Sequence, residues 1–131
     1  MSHEVVAALI IRSQMILLGR RSEARAFYPN VWDMFGGHVE PGEGHDQTLV
    51  RELEEELGIT ATEWKYLETL HEPSVELTVH LYLVTAWQGT PLNRQPEEHS
   101  AISWFSLAEA TGLRLADPGY PTLFERYLAW K

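Results

Sequence analysis

The chain has no cysteine. Disulfides, thiolate metal sites and a cysteine nucleophile are therefore excluded, and a reducing, cytoplasmic setting is expected. Positive charge is also scarce: 10 Lys and Arg stand against 19 Asp and Glu, for a net charge of −9. A chain this acidic gains little from a phosphate backbone, so long nucleic acid is not an expected partner. A small polyanionic substrate would need metal ions or a local group of arginines to overcome the same field. Long apolar runs are missing too. The longest, residues 5–11, is too short to cross a bilayer and follows no basic segment, so neither a membrane span nor a signal peptide is expected. The six histidines, His3, His38, His45, His71, His80 and His99, fall at no H-x3-H or H-E-x-x-H spacing, which argues against a zinc site. Internal repeats, low-complexity tracts and linkers are absent. The 131 residues suffice for a buried core, so one domain over 1–131 is expected.

What is present centres on residues 36–59. A turn containing Gly36, Gly37 and Gly42 leads into an acidic helix. Asp46 reads as its N-cap and 47–57 as its body. Gly58 sits where a left-handed residue ends a helix, and Ile59 follows as the apolar residue beyond it. Leu49, Val50, Leu53 and Leu57 share the face that packs inward. Glu52, Glu55 and Glu56 gather on another face, at i, i+3 and i+4. Like charges at that spacing cost a few tenths of a kcal/mol per pair, roughly. Glu54 lengthens the run, and Arg51 is the only cation in the helix. Such a cluster is either a solvated acidic face or a set of oxygen ligands for a hard divalent cation, and the glycine turn just before it favours ligands.

The rest of the chain reads as alternating short elements. Residues 5–11 form a buried strand, 12–14 a polar turn and 15–18 a return strand ending at Arg20 and Arg21. A loop over 22–30 precedes a short strand over 31–35. After the helix, 63–72 and 75–87 read as strands, 88–100 as a loop and 102–105 as a short strand. Ser106 caps a helix over 107–111, with Glu109 completing a capping box. A turn at 116–119 precedes a final helix over 121–130. This order suits an α/β fold with a mixed sheet between helices.

The spacing in 37–59 resembles the Nudix box, G-x5-E-x7-R-E-U-x-E-E-x-G-U with U aliphatic. Gly37, Glu43, Arg51, Glu52, Leu53, Glu55, Glu56, Gly58 and Ile59 occupy every fixed position. The surrounding order is similar to a small MutT-type member of that superfamily. The resemblance implies an α/β/α sandwich and hydrolysis of a nucleoside diphosphate linked to another group. The products from a nucleoside triphosphate would be the monophosphate and pyrophosphate. It also implies Mg²⁺, with Mn²⁺ as a substitute. Glu55 and Glu56 would be the principal ligands, with a main-chain carbonyl of Gly36 or Gly37, and Glu52 would be a third ligand or the base that activates water. Glu43 and Arg51 would pair to tie loop to helix, while Gly37 and Gly58 would serve backbone shape. Glu98, in the 97–99 loop, matches a further glutamate that MutT-type members often place near the metals, as ligand or general base; otherwise it belongs to a solvated acidic loop.

Substrate contacts are read more openly. Arg20 and Arg21 either grip phosphate with their planar forks or are surface cations. Phe27, Tyr28, Trp32 and Phe35 either stack a base or fill the core. Asp117 stands near the position of a base-reading asparagine in some 8-oxo-guanine-specific relatives, but an Asp-Pro-Gly turn is reason enough for it. Phe35 replaces the proline that many MutT-type chains carry before the two glycines. The expected partner is a small nucleotide. Nucleotide sugars, ADP-ribose or dinucleoside polyphosphates are alternatives, as are a silent nucleotide sensor and an isoprenyl-diphosphate isomerase, which uses a cysteine this chain lacks. Many Nudix proteins are homodimers, and Trp130 is a candidate interface residue.

Overall fold

A computed structural model describes residues 3–25, 29–73 and 76–128. Two compact units emerge: Met1–Ile10 with Phe35–Arg94, and Ile11–Met34 with Gln95–Lys131. The fold is mixed α/β, with seven strands and three helices among the described residues. Strand β1 (His3–Arg12) supplies residues to both units.

In the first unit, β1 lies between β4 (Phe35–His38) and β6 (Leu77–Gln88), and β6 continues to β5 (Thr60–Glu72). The β1–β6 pairing is parallel and the other two are antiparallel, which makes the sheet mixed. Helix α1 (His45–Leu57) packs on it through Leu49, Leu53 and Leu57, each fully buried. Each such side chain contributes about 1.5–3 kcal/mol. Ala8, Leu9, Ile10, Phe35, Ile59, Leu81 and Val84 complete this buried set. The helix ends as its sequence predicts: Gly58 has φ of 71° and its N–H donates to the Glu54 carbonyl at 2.9 Å.

The helix begins two residues earlier than the sequence predicts. Gly44 is the N-cap, and its N–H donates to the Gln47 side chain at 2.7 Å. Asp46 lies inside the first turn, where its charge suits the positive end of the helix dipole. A glycine that is capped from three residues ahead has no side-chain signature of its own, so the aspartate drew the assignment.

In the second unit, β2 (Met15–Arg21) pairs with Ile11 and Arg12, with β3 (Trp32–Asp33) and with β7 (His99–Ser106), all antiparallel. Ser13 and Gln14 both have positive φ, 52° and 61°, which makes the tight hairpin turn joining Arg12 to Met15. Helix α2 (Leu107–Thr111) carries the predicted capping box: Glu109 N–H donates to Ser106 Oγ at 3.2 Å, and Ser106 N–H to the Glu109 carboxylate at 2.9 Å. Helix α3 (Tyr120–Leu128) buries Leu123, Phe124 and Leu128. Its expected extension to Trp130 falls outside the described residues.

One expected strand, 31–35, is two. Asp33 pairs with Gly19 of β2, whereas Phe35 pairs with Ala8 of β1. Between them, the Met34 N–H turns to the Asp33 carboxylate at 2.8 Å. The chain thus changes partners in mid-run, which no apolar periodicity reveals.

Candidate active site

The box residues meet within the first unit. Strand β4 presents Gly36 and Gly37 to the acidic side of α1. Gly36 has φ of 154°, and a Cβ there would strike the Val6 carbonyl of the neighbouring strand. A Cβ on Gly37 would strike the Glu52 carboxylate. At Gly37 the missing side chain is the space into which the Glu52 carboxylate reaches, and at Gly36 it is the room taken by the neighbouring strand. Glu56 is 6% exposed, and its Oε1 accepts the Gly36 N–H at 3.1 Å. The Glu52 side chain is 15% exposed and that of Glu55 is 49% exposed. The three carboxylates thus form a graded set, from anchored to open.

Arg51 organises them. Its Nε and Nη2 donate to the two oxygens of Glu43 at 2.7 and 3.0 Å, a two-pronged pair. Nη1 donates to Glu52 at 3.0 Å and to Glu55 at 3.2 Å, and Nη2 also reaches the His38 carbonyl at 3.0 Å. Thr48 Oγ1 donates to Glu43 as well, at 2.7 Å. With Arg51 and Thr48 donating, the Glu43 carboxyl is held down at about 2, and the Glu43 carboxylate in turn raises the Arg51 guanidinium. The sequence did not single out Glu40, which lies 3.9 Å from Arg51 Nε, or Thr48. Thr48 was in principle legible, because it sits five residues beyond Glu43 in the first turn of the helix. At the other end, Gly58 lies under the Arg94 side chain, and Arg94 N–H donates to the Glu56 carbonyl at 3.0 Å.

The remaining candidates belong to the second unit, apart from Phe35. That ring is 1% exposed, which favours the core of its two readings over a substrate contact. Arg20 Nη1 donates to Ser100 Oγ at 3.3 Å. It lines an open cleft of about 370 Å³ with Ser22, Asn30, Pro96, Glu97 and Ser100. Arg21 pairs with Asp33 at 3.7 Å, and Asp33 also accepts the Tyr120 hydroxyl at 2.8 Å. Burial raises the Asp33 carboxyl above its usual range against both partners, and burial likewise raises the Tyr120 hydroxyl. Glu98 pairs with Arg25 at 3.5 Å. Asp117 accepts the Gly119 N–H at 2.7 Å, which is the turn role its sequence suggests. Phe27 and Tyr28 lie outside the described residues. Ser22, Asn30 and Ser100 have no motif to mark them; Ser100 lies on β7, while the Ser22 N–H donates to the Glu98 carbonyl and the Asn30 N–H to the Arg21 carbonyl.

Carboxylates of one helix thus stand against a glycine-opened strand, held by one arginine. The family model described as NUDIX domain matches residues 1–127. The chain belongs to the Nudix family and is a Nudix hydrolase. It is 41% identical over 129 residues to a CTP pyrophosphohydrolase of Escherichia coli, covering 96% of this chain and 91% of that protein. It is 37% identical over 108 residues to an 8-oxo-dGTP diphosphatase of the same species, covering 78% and 79%. Among solved structures, one from a study of MutT from Aliivibrio salmonicida and Vibrio cholerae superposes with a TM-score of 0.84, at 29% identity and full coverage of both chains. No helix among the described residues is long and apolar enough to cross a membrane.

Proposed function

We propose that this protein is a Mg²⁺-dependent pyrophosphohydrolase that converts a nucleoside triphosphate and water to the monophosphate and pyrophosphate. The reading takes 1–131 as one Nudix domain. One observation carries it: Glu56 is bonded to the Gly36 amide and Glu52 is set against Gly37, with Glu55 more open on the same helix. That donor set is all oxygen and densely anionic, which fits a hard divalent cation. Glu55, Glu56 and a main-chain carbonyl of Gly36 or Gly37 would hold Mg²⁺, with Glu52 as a third ligand or as the base. When bound, the ion neutralises phosphate oxygens and makes water more acidic.

The chain's own residues do the rest. Gly36 and Gly37 let the carboxylates approach the strand, and Arg51 fixes the tilt of Glu52 and Glu55 while its pair with Glu43 ties the loop to the helix. In the hydrolytic step the water oxygen bonds to phosphorus and the bridging P–O bond breaks. Pyrophosphate leaves with the electron pair, and the water proton passes to a carboxylate base. Of the two candidate arginines, Arg20 lines an open cleft, whereas Arg21 is engaged with Asp33. The relatives named for CTP and for 8-oxo-dGTP support a triphosphate over a nucleotide sugar or ADP-ribose.

The test is release of nucleoside monophosphate from CTP, dCTP, 8-oxo-dGTP, ADP-ribose and a nucleotide sugar, with pyrophosphate as the second product from the triphosphates, with Mg²⁺ and with EDTA. Turnover of a triphosphate is expected, lost by about 10²–10⁴-fold in Glu52→Gln and Glu56→Gln with circular dichroism unchanged. Turnover of ADP-ribose alone would move the substrate class, and binding without turnover would make the protein a sensor. In Glu98→Gln, loss of the acidic limb of the kcat profile would assign the base to Glu98; its persistence there and loss in Glu52→Gln would assign it to Glu52.

A further inference from the structure

Three groups that no sequence spacing connects meet in the first unit. Glu4 is on β1, His80 on β6 and His45 is the first residue of α1. Their ligand atoms all lie within 4.8 Å of one another. His80 Nε2 is 2.8 Å and His45 Nε2 3.4 Å from the same atom, Glu4 Oε1. The imidazole rings stack with centroids 3.8 Å apart and planes at 25°, and both Nε2 atoms lie beside the same Glu4 oxygen. The opposite nitrogen of His80, Nδ1, is 3.2 Å from Thr69 Oγ1, and Thr69 Oγ1 is 2.6 Å from the Tyr66 hydroxyl. His80 is thus held from behind, as the outer partner of a metal-binding histidine holds it. The register places Glu4 opposite Thr78 and Val6 opposite His80, so Glu4 and His80 share one face of the parallel pair.

We propose that Glu4, His45 and His80 form a second metal site, for a borderline divalent ion such as Zn²⁺, separate from the glutamate cluster of the box. Zn²⁺ takes imidazole nitrogen at about 2.0–2.1 Å and carboxylate oxygen at about 2.0–2.2 Å in a tetrahedron. Tetrahedral ligands at those lengths stand about 3.3 Å apart. The two distances to Glu4 Oε1, 2.8 and 3.4 Å, bracket that spacing, and the rings would turn out of their stack for both Nε2 lone pairs to meet the ion. Two histidines and one carboxylate leave the fourth position to water. Mixed nitrogen and oxygen donors select Zn²⁺, Ni²⁺ or Cu²⁺ over Mg²⁺, which prefers oxygen. The ion would fasten the first turn of α1 to β1 and β6. The expectation of no zinc site rested on ligands sharing one helix, and these three come from three elements.

The test uses the full chain, with Mg²⁺ in excess to occupy the oxygen cluster. Titration with Zn²⁺ should show one site. In ¹⁵N imidazole spectra the ring nitrogens of His45 and His80 should shift while those of His71 and His99 stay in place. Co²⁺ should give the intense visible bands of a four-coordinate ion. Binding should be lost in Glu4→Gln, His45→Gln and His80→Gln, and weakened about 10- to 100-fold in Thr69→Val. Glu55→Gln should retain it, which separates this site from the box. Shifts at other histidines, or zinc binding that follows Glu55 and ignores His80, would overturn the proposal, as would no binding by a wild-type chain folded by circular dichroism.

Discussion

Gly36 and Gly37 are adjacent, yet their substitutions should fail differently. A methyl group at Gly36 meets the rigid Val6 carbonyl at a positive φ, so Gly36→Ala should cost at least about 2 kcal/mol of stability. At Gly37 the methyl group meets only the Glu52 carboxylate, a side-chain tip that can swing away. Gly37→Ala should therefore stay folded and lose kcat by about tenfold or more, because the proposed mechanism uses the displaced Glu52 carboxylate. Denaturant unfolding beside steady-state kinetics separates the two, and equal loss of stability in both would refute the distinction. Glu43 offers a pH signature. Its folded value of about 2 lies below the ordinary 4.5, so its contribution is complete above pH 4.5 and is lost as pH falls toward 2. In Glu43→Gln the stability slope over that window should flatten. The glutamate spacing was open to a sequence reader because a helix repeats every 3.6 residues, which fixes which carboxylates are neighbours. The grading of those carboxylates was not, since it depends on where β4 meets the helix.

At the scale of an element, α1 carries the candidate site and its two ends fix where the glutamates stand. The C-terminal end was readable from Gly58, because a left-handed residue has a strong chemical preference. The N-terminal end was not, because the bond runs from the Gly44 amide to Gln47, and neither residue announces a start as serine or aspartate does. Gln47→Ala should lower stability by about 0.5–1 kcal/mol, read as a few degrees in melting temperature, and leave KM unchanged. A change in KM with no change in melting would mean that Gln47 acts on substrate instead. The split of 31–35 into two strands belongs here too. Both halves have strand character, but the partner of each is chosen by distant residues, Gly19 for one half and Ala8 for the other.

For the whole molecule, acid stability should reflect His99 as well as the carboxylates. His99 is 6% exposed, and its burial, with Arg25 and Arg21 nearby, lowers it from 6.5 to about 4. A histidine held neutral in the fold takes up its proton more readily once the chain unfolds. Its contribution is complete above pH 6.5 and is lost as pH falls from 6.5 to about 4. Over that window the wild type should lose on the order of 1–3 kcal/mol more stability than His99→Gln. Equal pH slopes for the two proteins in urea unfolding would show that His99 titrates normally. The net charge of −9 sets a second property at this scale: substrate binding should depend on divalent ions for neutralisation as well as chemistry.

The sequence by itself determined the family, the reaction class and the acidic helix with its glycine turn. Those rest on local spacing, and helix geometry converts spacing directly into neighbours. It also determined the Ser106 capping box and most strand positions, through short-range hydrogen bonding and apolar runs. Tertiary structure alone decided that Phe35 belongs to the core, that Arg21 is engaged with Asp33, and that Glu4, His45 and His80 converge. Each of those joins residues far apart along the chain. Strand register and helix docking bring such residues together, and neither is encoded in the spacing of any one segment.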